Sequence, residues 1–225
     1  MDTPSYSQVA FYDVDGTLVK TNVVHAYAYY IAHHPSLKRR ALGLGKLLAS
    51  LPAYGVMDAY SRKYFNEYFY TNYEGFSEDR LVILGQEIFD KILKPNLYPG
   101  ARDLIQRSKA LGIRQVLVTG ALDVITAPLA EYLGADEFGA NRLEMIDGHA
   151  TGRTVPPLLA GPSKSQWMRA YANRHRINLD HCWAYADSFS DLPMLSMVGR
   201  PCAVNPDSKL RAAARDFDWP VLDLR

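Results

Sequence analysis

Cysteine is scarce in this chain of 225 residues, with Cys182 and Cys202 the only two. That excludes a disulfide-stapled fold, and each thiol lies in an apolar run (HCWAYAD and RPCAVNP) that reads as a strand holding a buried, reduced side chain. An excess of one charge is also missing. Lys plus Arg number 25 against 24 for Asp plus Glu, so the whole-chain charge gives no case for a nucleic-acid or acidic partner. No uninterrupted apolar stretch is long enough to span a bilayer, and the opening MDTPSYSQ lacks the basic-then-apolar layout of a secretion signal. The expectation is a cytoplasmic globular protein of one domain with a sizeable insertion, or of two small domains.

What is present begins with VAFYDVDGTLVKTN, Val9 to Asn22, an apolar strand-like run that ends in two aspartates followed by Gly-Thr. Three further segments read the same way: Arg114 to Gly120, His181 to Ser188 and Arg200 to Asp207, with a shorter VLDL at Val221 to Leu224. Helical patterns lie between them, from Pro99 to Gly112, Asp123 to Leu133, Ser163 to about Arg176, and Asp207 to Phe217. Strands alternating with helices specify an α/β fold with a doubly wound parallel sheet. In such sheets the ligand site lies beyond the carboxyl ends of the strands.

The alternation breaks between about Thr21 and Pro95, where no strand signal occurs and four helices are expected: Val23 to His33, Leu37 to Leu51, Asp58 to Tyr70, and Ser77 to Leu93. The expected division is a core of residues 1–20 and 96–225 with an all-helical cap of residues 21–95. Inserted after the first strand, such a cap would sit over the carboxyl edge of the sheet as a lid. Ala140 to Gly161 reads as a hairpin turning at Asp147-Gly148, then a loop through Pro156-Pro157.

The strand ends carry the chemistry. Asp13 and Asp15 close the first strand and Thr119 and Gly120 the second; Asp187 and Asp191 follow the third, and Lys164 starts the helix before it. Four converging carboxylates would repel one another and raise their own pKa values. A divalent cation relieves this, and oxygen ligands without a His or Cys cluster point to Mg²⁺ rather than zinc. Asp13 and Asp15, two apart, share a face. One can attack a phosphoryl group, giving an aspartyl-phosphate, while the other handles the proton. Gly16 lets the chain turn close to the phosphate, so the turn at Gly16 and Thr17 offers N–H groups to its oxygens. Thr119, Gly120 and Lys164 would neutralise the transferring group.

DVDGTLV, VTG, the lone lysine of GPSKSQ and YADSFSDLPML resemble, in order and spacing, the four motifs of the haloacid dehalogenase (HAD) superfamily of phosphohydrolases. The helical insertion resembles the cap of its phosphoserine-phosphatase-like branch. The resemblance covers Val9 to Pro206 and implies a Rossmann-like core. It implies Asp13 as nucleophile, Asp15 as acid and base, and Thr119 and Lys164 as phosphate binders. The metal set expected on these grounds is Asp13, the Val14 carbonyl, Asp15, Asp187 and Asp191, the last directly or through water. The implied enzyme is a Mg²⁺-dependent phosphomonoester hydrolase acting on a small phosphorylated metabolite. The chain departs from the branch at Lys20-Thr21-Asn22-Val23, where a substrate-binding glutamate is usual, and at Ala186-Asp187-Ser188-Phe189-Ser190-Asp191, where Gly-Asp-Gly-x-Asn-Asp is usual. Both departures turn the reading away from phosphoserine itself.

Plainer readings stand beside these. Asp191 could serve only as an N-terminal helix charge, and Lys164 as a solvated lysine. His33 and His34, before Pro35, read as a surface helix end, whereas His25 could face substrate from the cap. Tyr60, Tyr64 and Tyr68, spaced by four, read as one packed helix face. Lys38, Arg39, Arg40 and Lys46 beside leucines read first as an amphipathic cap helix with a solvated basic end. Peripheral membrane contact, with a lipid phosphate or lysophospholipid as substrate, is the alternative. A phosphotransferase and a non-catalytic phosphate-binding module also remain, since fold does not fix function. Oligomeric state is left open.

Overall fold

Strand β1 (Val9–Tyr12) is buried along its whole length. Its side chains alternate between faces, so Val9 and Phe11 join one apolar layer and Ala10 and Tyr12 another. A strand apolar on both sides needs cover on both sides, which is the condition of a parallel sheet wrapped by helices. In the computed structural model, which describes residues 8–224, that is its setting. Met1–Ser7 of the expected core, and with them most of the polar opening segment, lie outside the described residues.

After β1 the chain forms α1 (Val23–Ala32), α2 (Leu37–Tyr60), α3 (Arg62–Tyr70) and α4 (Glu78–Ile88). It then returns through α5 (Ala101–Ala110), β2 (Arg114–Leu122), α6 (Asp123–Leu133), β3 (Glu137–Asn141) and the hairpin β4 (Leu143–Ile146) with β5 (His149–Thr154). The last part is α7 (Pro162–His175), β6 (Trp183–Ala186), the short α8 (Leu192–Leu195), β7 (Arg200–Val204), α9 (Ser208–Asp216) and β8 (Val221–Leu222). Six strands make one parallel sheet in the order β3-β2-β1-β6-β7-β8. Tyr12 lies level with Leu117 of β2 on one side and Tyr185 of β6 on the other. Asp13 and Asp187, just beyond their strands, and Thr119, within β2, therefore stand within two residues of the same level.

Three expectations are corrected. Strand β3 had no signal, because EFGAN has a glycine at its centre and no alternation; Gly139 is needed there, since a Cβ would stand 2.6 Å from the Trp167 ring. Helix α2 does not stop before Pro52 but runs to Tyr60. Pro52 is exposed, and burial of Tyr54 beyond it, with the Tyr54 hydroxyl accepting from Asn72 Nδ2 at 3.0 Å, offsets the lost backbone bond. The helix ends at Ser61, whose Oγ caps α3 by accepting from Tyr64 N at 3.3 Å. Finally, Tyr60, Tyr64 and Tyr68 are exposed rather than packed.

The packed rings are others. Phe69 is fully buried, with Tyr27, Tyr54, Phe65, Tyr70 and Tyr73 at centroid distances of 5.3 to 6.2 Å. This cluster is continuous with the apolar layer on one face of the sheet. The hairpin, turning through Asp147 and Gly148 at φ 48° and 72° as expected of a type I′ turn, props the insertion from below. Gly75 N donates to Ala150 O and Ala150 N to Phe76 O, each at 2.8 Å. Both cysteines are buried and unpaired. No helix among the described residues is long and apolar enough to cross a membrane.

Phe69→Ala should lower unfolding free energy by about 3–5 kcal/mol. Urea denaturation measures it; a loss below about 1 kcal/mol would mean that the ring cluster does not tie the inserted helices to the sheet.

Candidate active site

Asp13 leaves β1 with its backbone N–H donating to Tyr185 O at 2.9 Å, which ties the first residue beyond the strand to β6. Gly16 then turns the chain at φ +83°, and a Cβ there would stand 2.1 Å from Asp187 Oδ2. Only glycine admits both the left-handed backbone and the close approach of that carboxylate. Lys164, in the first turn of α7, is buried and donates to Asp13 Oδ1 at 2.6 Å and to Asp191 Oδ2 at 3.0 Å. Thr17 is fully buried; its hydroxyl lies 3.2 Å from Asp13 Oδ2 and 3.1 Å from Asp187 Oδ1.

One lysine does not balance these acids. Burial pushes the Asp187 carboxyl up to about 8, with the charges of Asp13 and Asp191 adding to the effect. Burial likewise raises Asp191 to about 6 against the pull of Lys164. Burial works against the Lys164 ammonium, yet the charges of Asp13 and Asp191 and the hydrogen bonds to them outweigh it, and its pKa is raised. Asp15 is raised to about 7, first by burial and then by the Asp13 charge, with Lys164 and Arg62 opposing. A carboxyl held near 7 gives and takes a proton with little bias at neutral pH.

The donor set fits a hard divalent cation. Asp13, Asp187 and Asp191 each offer one carboxylate oxygen, and the three atoms lie within 4.8 Å of one another. Asp191 Oδ1 is buried without a hydrogen-bond partner among the described residues, an orphaned acceptor that a cation or its water would satisfy. Asp15 stands outside this group of three.

The structure brings most of the expected residues together: Asp13, Asp15, Gly120, Lys164, Asp187 and Asp191 line one cavity of about 40 Å³. Thr119 is buried beside it; its hydroxyl accepts from Ala121 N at 3.0 Å and so keeps its own hydrogen to donate. The Val14 carbonyl, expected as a metal ligand, already accepts from Leu18 N at 2.8 Å and Val19 N at 3.1 Å, which takes up its two lone pairs. Thr17, whose backbone was expected to face phosphate, also uses its hydroxyl on the acids. His25 is exposed and closes the capping box of α1 with Asn22, so it does not face the cavity.

Two residues escaped the sequence reading. Arg62 and Asn66, one turn apart on α3, reach the cavity from above, and Asn66 is buried with its Oδ1 unpartnered among the described residues. Their spacing of four places them on one helix face, but nothing in the sequence aims that face at the aspartates. Two clefts adjoin the cavity: one of about 640 Å³ between the end of α2 and the loop after β6, sharing Arg62, Ser188 and Ser190 with it, and one of about 420 Å³ beside α1 and α2, sharing Asn22, Val23 and Arg62.

Known proteins are similar to this chain over most of its length. The family model described as haloacid dehalogenase-like hydrolase matches residues 10–196. Phosphoserine phosphatase SerB1 of Mycobacterium tuberculosis is 36% identical over 217 residues, covering 96% of this chain and 70% of the relative. A histidinol-phosphatase of Neisseria meningitidis is 26% identical over 240 residues, covering 96% and 99%. A solved structure of a protein of unknown function from Bordetella pertussis superposes with a TM-score of 0.86 at 25% identity, covering 98% of this chain and all of that one. The chain belongs to the haloacid dehalogenase-like hydrolase family, as a phosphatase of its phosphoserine-phosphatase-like branch.

Gly16→Ala should destabilise the fold by about 1–3 kcal/mol and weaken Mg²⁺ binding by displacing Asp187. Urea denaturation and a Mg²⁺ titration read the two effects, and wild-type values in both would show the turn to be tolerant. A second expectation concerns pH. In the metal-free protein the folded Asp187 carboxyl keeps its proton from its ordinary value of 3.8 up to about 8, so the folded state binds more protons than the unfolded. Stability is thereby lost as pH rises through that window. Mg²⁺ competes with those protons, so its increase of Tm should be larger near pH 8 than near pH 5. An equal increase at both would contradict this.

Proposed function

We propose that this phosphatase hydrolyses a phosphomonoester through a covalent phospho-enzyme on Asp13, dependent on Mg²⁺ and acting in the cytoplasm. The observation that carries the reading is the buried Lys164 bridging Asp13 and Asp191, with Asp187 within 4.8 Å of both. Asp13, Asp187 and Asp191 would hold Mg²⁺, which when bound supplies positive charge to the acids and to the phosphoryl oxygens.

In the first step an Asp13 carboxylate oxygen attacks phosphorus, the bond from phosphorus to the ester oxygen breaks, and Asp15 gives its proton to the departing alcohol. In the second, Asp15, now a carboxylate, takes a proton from water as that water attacks phosphorus. The Asp13–phosphorus bond breaks and phosphate leaves. A carboxyl raised to about 7 suits both duties. Lys164 and Thr119 would meet the phosphoryl oxygens, with the backbone at Gly120 beside them; the Gly16 N–H, expected to bind phosphate, is instead taken up within the turn, donating to Val19 O at 2.8 Å. Arg62 adds a second positive charge from above.

Of the described residues, 21–95 act as a cap over a core formed by 8–20 and 96–224. A cavity of about 40 Å³ has room for only a few waters, so the leaving group would extend into an adjoining cleft, with the cap keeping bulk water from the phospho-enzyme. Relatives named for phosphoserine and for histidinol phosphatases support a small phosphorylated metabolite without choosing one. Lys20-Thr21-Asn22-Val23 still lacks the glutamate expected for phosphoserine.

Hydrolysis of p-nitrophenyl phosphate with and without Mg²⁺ tests the reading. Asp13→Asn should fall to background, and Asp15→Asn should lose about 10²- to 10⁴-fold in kcat. Activity retained in Asp13→Asn would exclude the phospho-enzyme, and an inactive wild type across a panel of phosphorylated metabolites would favour a binding module.

A further inference from the structure

Helix α2 carries a long face that nothing in the described chain covers. Its inward side holds Leu47 and Tyr54, the two buried residues of the helix. On the outward side Leu37, Leu42, Leu48, Val56 and Tyr60 are between 65% and 86% exposed. The positions Ala41, Gly45, Ala49, Pro52 and Ala53, which fall among them at about 100° per residue, are exposed too and uncharged, while Lys38, in the first turn, falls within the same face. Single exposed leucines are ordinary; a continuous apolar face along a helix of 24 residues is a binding surface. An ordinary amphipathic cap helix would have turned these leucines inward.

The charge on the same helix names the occupant. No acid occurs between Asp15 and Asp58. Lys38, Arg39 and Lys46 are exposed on α2, whereas Arg40 turns inward and donates to the His34 carbonyl at 3.3 Å. A second copy of this chain would bring the same uncompensated cations against one another. An anionic lipid surface accepts both features, burying the apolar face at the boundary of headgroups and acyl chains while its phosphates meet the cations. Location adds to this. Asp58, Ala59 and Tyr60, at the end of α2, line the larger cleft that adjoins the catalytic cavity.

We propose that α2 docks this protein on anionic bilayers, lying flat with Leu37, Leu42, Leu48 and Val56 inserted and with Lys38, Arg39 and Lys46 against lipid phosphates. The docked protein presents the mouth of its catalytic cleft near the lipid surface. The docking goes beyond the phosphatase reading and does not depend on it.

Flotation of the full chain with phosphatidylcholine vesicles, with and without phosphatidylglycerol, tests the proposal. Binding is expected only to the anionic vesicles and should weaken with salt. Each of Lys38→Glu, Arg39→Glu and Lys46→Glu should weaken it by at least about fivefold. Leu42→Ser combined with Val56→Ser should reduce it further, with circular dichroism and p-nitrophenyl phosphate hydrolysis unchanged. No binding by the wild type would overturn the proposal. So would binding unaffected by all of these variants, or a dimer in solution that Leu42→Ser with Val56→Ser dissolves while vesicle binding persists.

Discussion

The repulsion among buried acids at the carboxyl edge of the sheet is the constraint around which the molecule is arranged. Four aspartates are gathered where β1 and β6 end, and the described residues set only Lys164 and, from the inserted helices, Arg62 against them. Such a cluster is unfavourable unless protons or a cation relieve it, and the raised pKa values of Asp15, Asp187 and Asp191 express that tension. The parallel sheet holds the acids together because its registers are fixed by apolar burial on both faces. The energy that keeps carboxylates in close quarters thus comes from Val9, Phe11 and their neighbours.

The inserted helices answer a different need. The acids lie at the open carboxyl edge of the sheet, and any cover over them has to come from outside the sheet. Here the cover is joined to the sheet by a shared aromatic cluster around Phe69 and by the hairpin that props Gly75 and Phe76. Tyr70 links the two directly, its hydroxyl donating to the Gly120 carbonyl at the floor of the cavity.

Much of this was legible in the sequence, for a physical reason. A strand end that places Asp, Asp and Gly at fixed spacing encodes local geometry, so Asp13, Asp15 and Gly16 were assigned correctly as a turn beside carboxylates. Alternation of strand and helix likewise carried the sheet, apart from β3, whose glycine serves a neighbouring indole rather than a strand pattern. Boundaries in the insertion were read less well. Pro52 looked like a stop, and tertiary burial of Tyr54 overrode it.

Residue types and their spacing along the chain determined by themselves that acids would stand at the ends of the first and third of the expected strands, because backbone periodicity sets which neighbours share a face. What only the tertiary structure decided was where lone groups point: Thr17 onto the acids, Val14 O into a turn, His25 into a helix cap, Arg62 and Asn66 down into the cavity, and the leucines of α2 outward. Those directions depend on how one element rotates against another. That rotation is settled by packing across residues far apart in the chain, which no local pattern records.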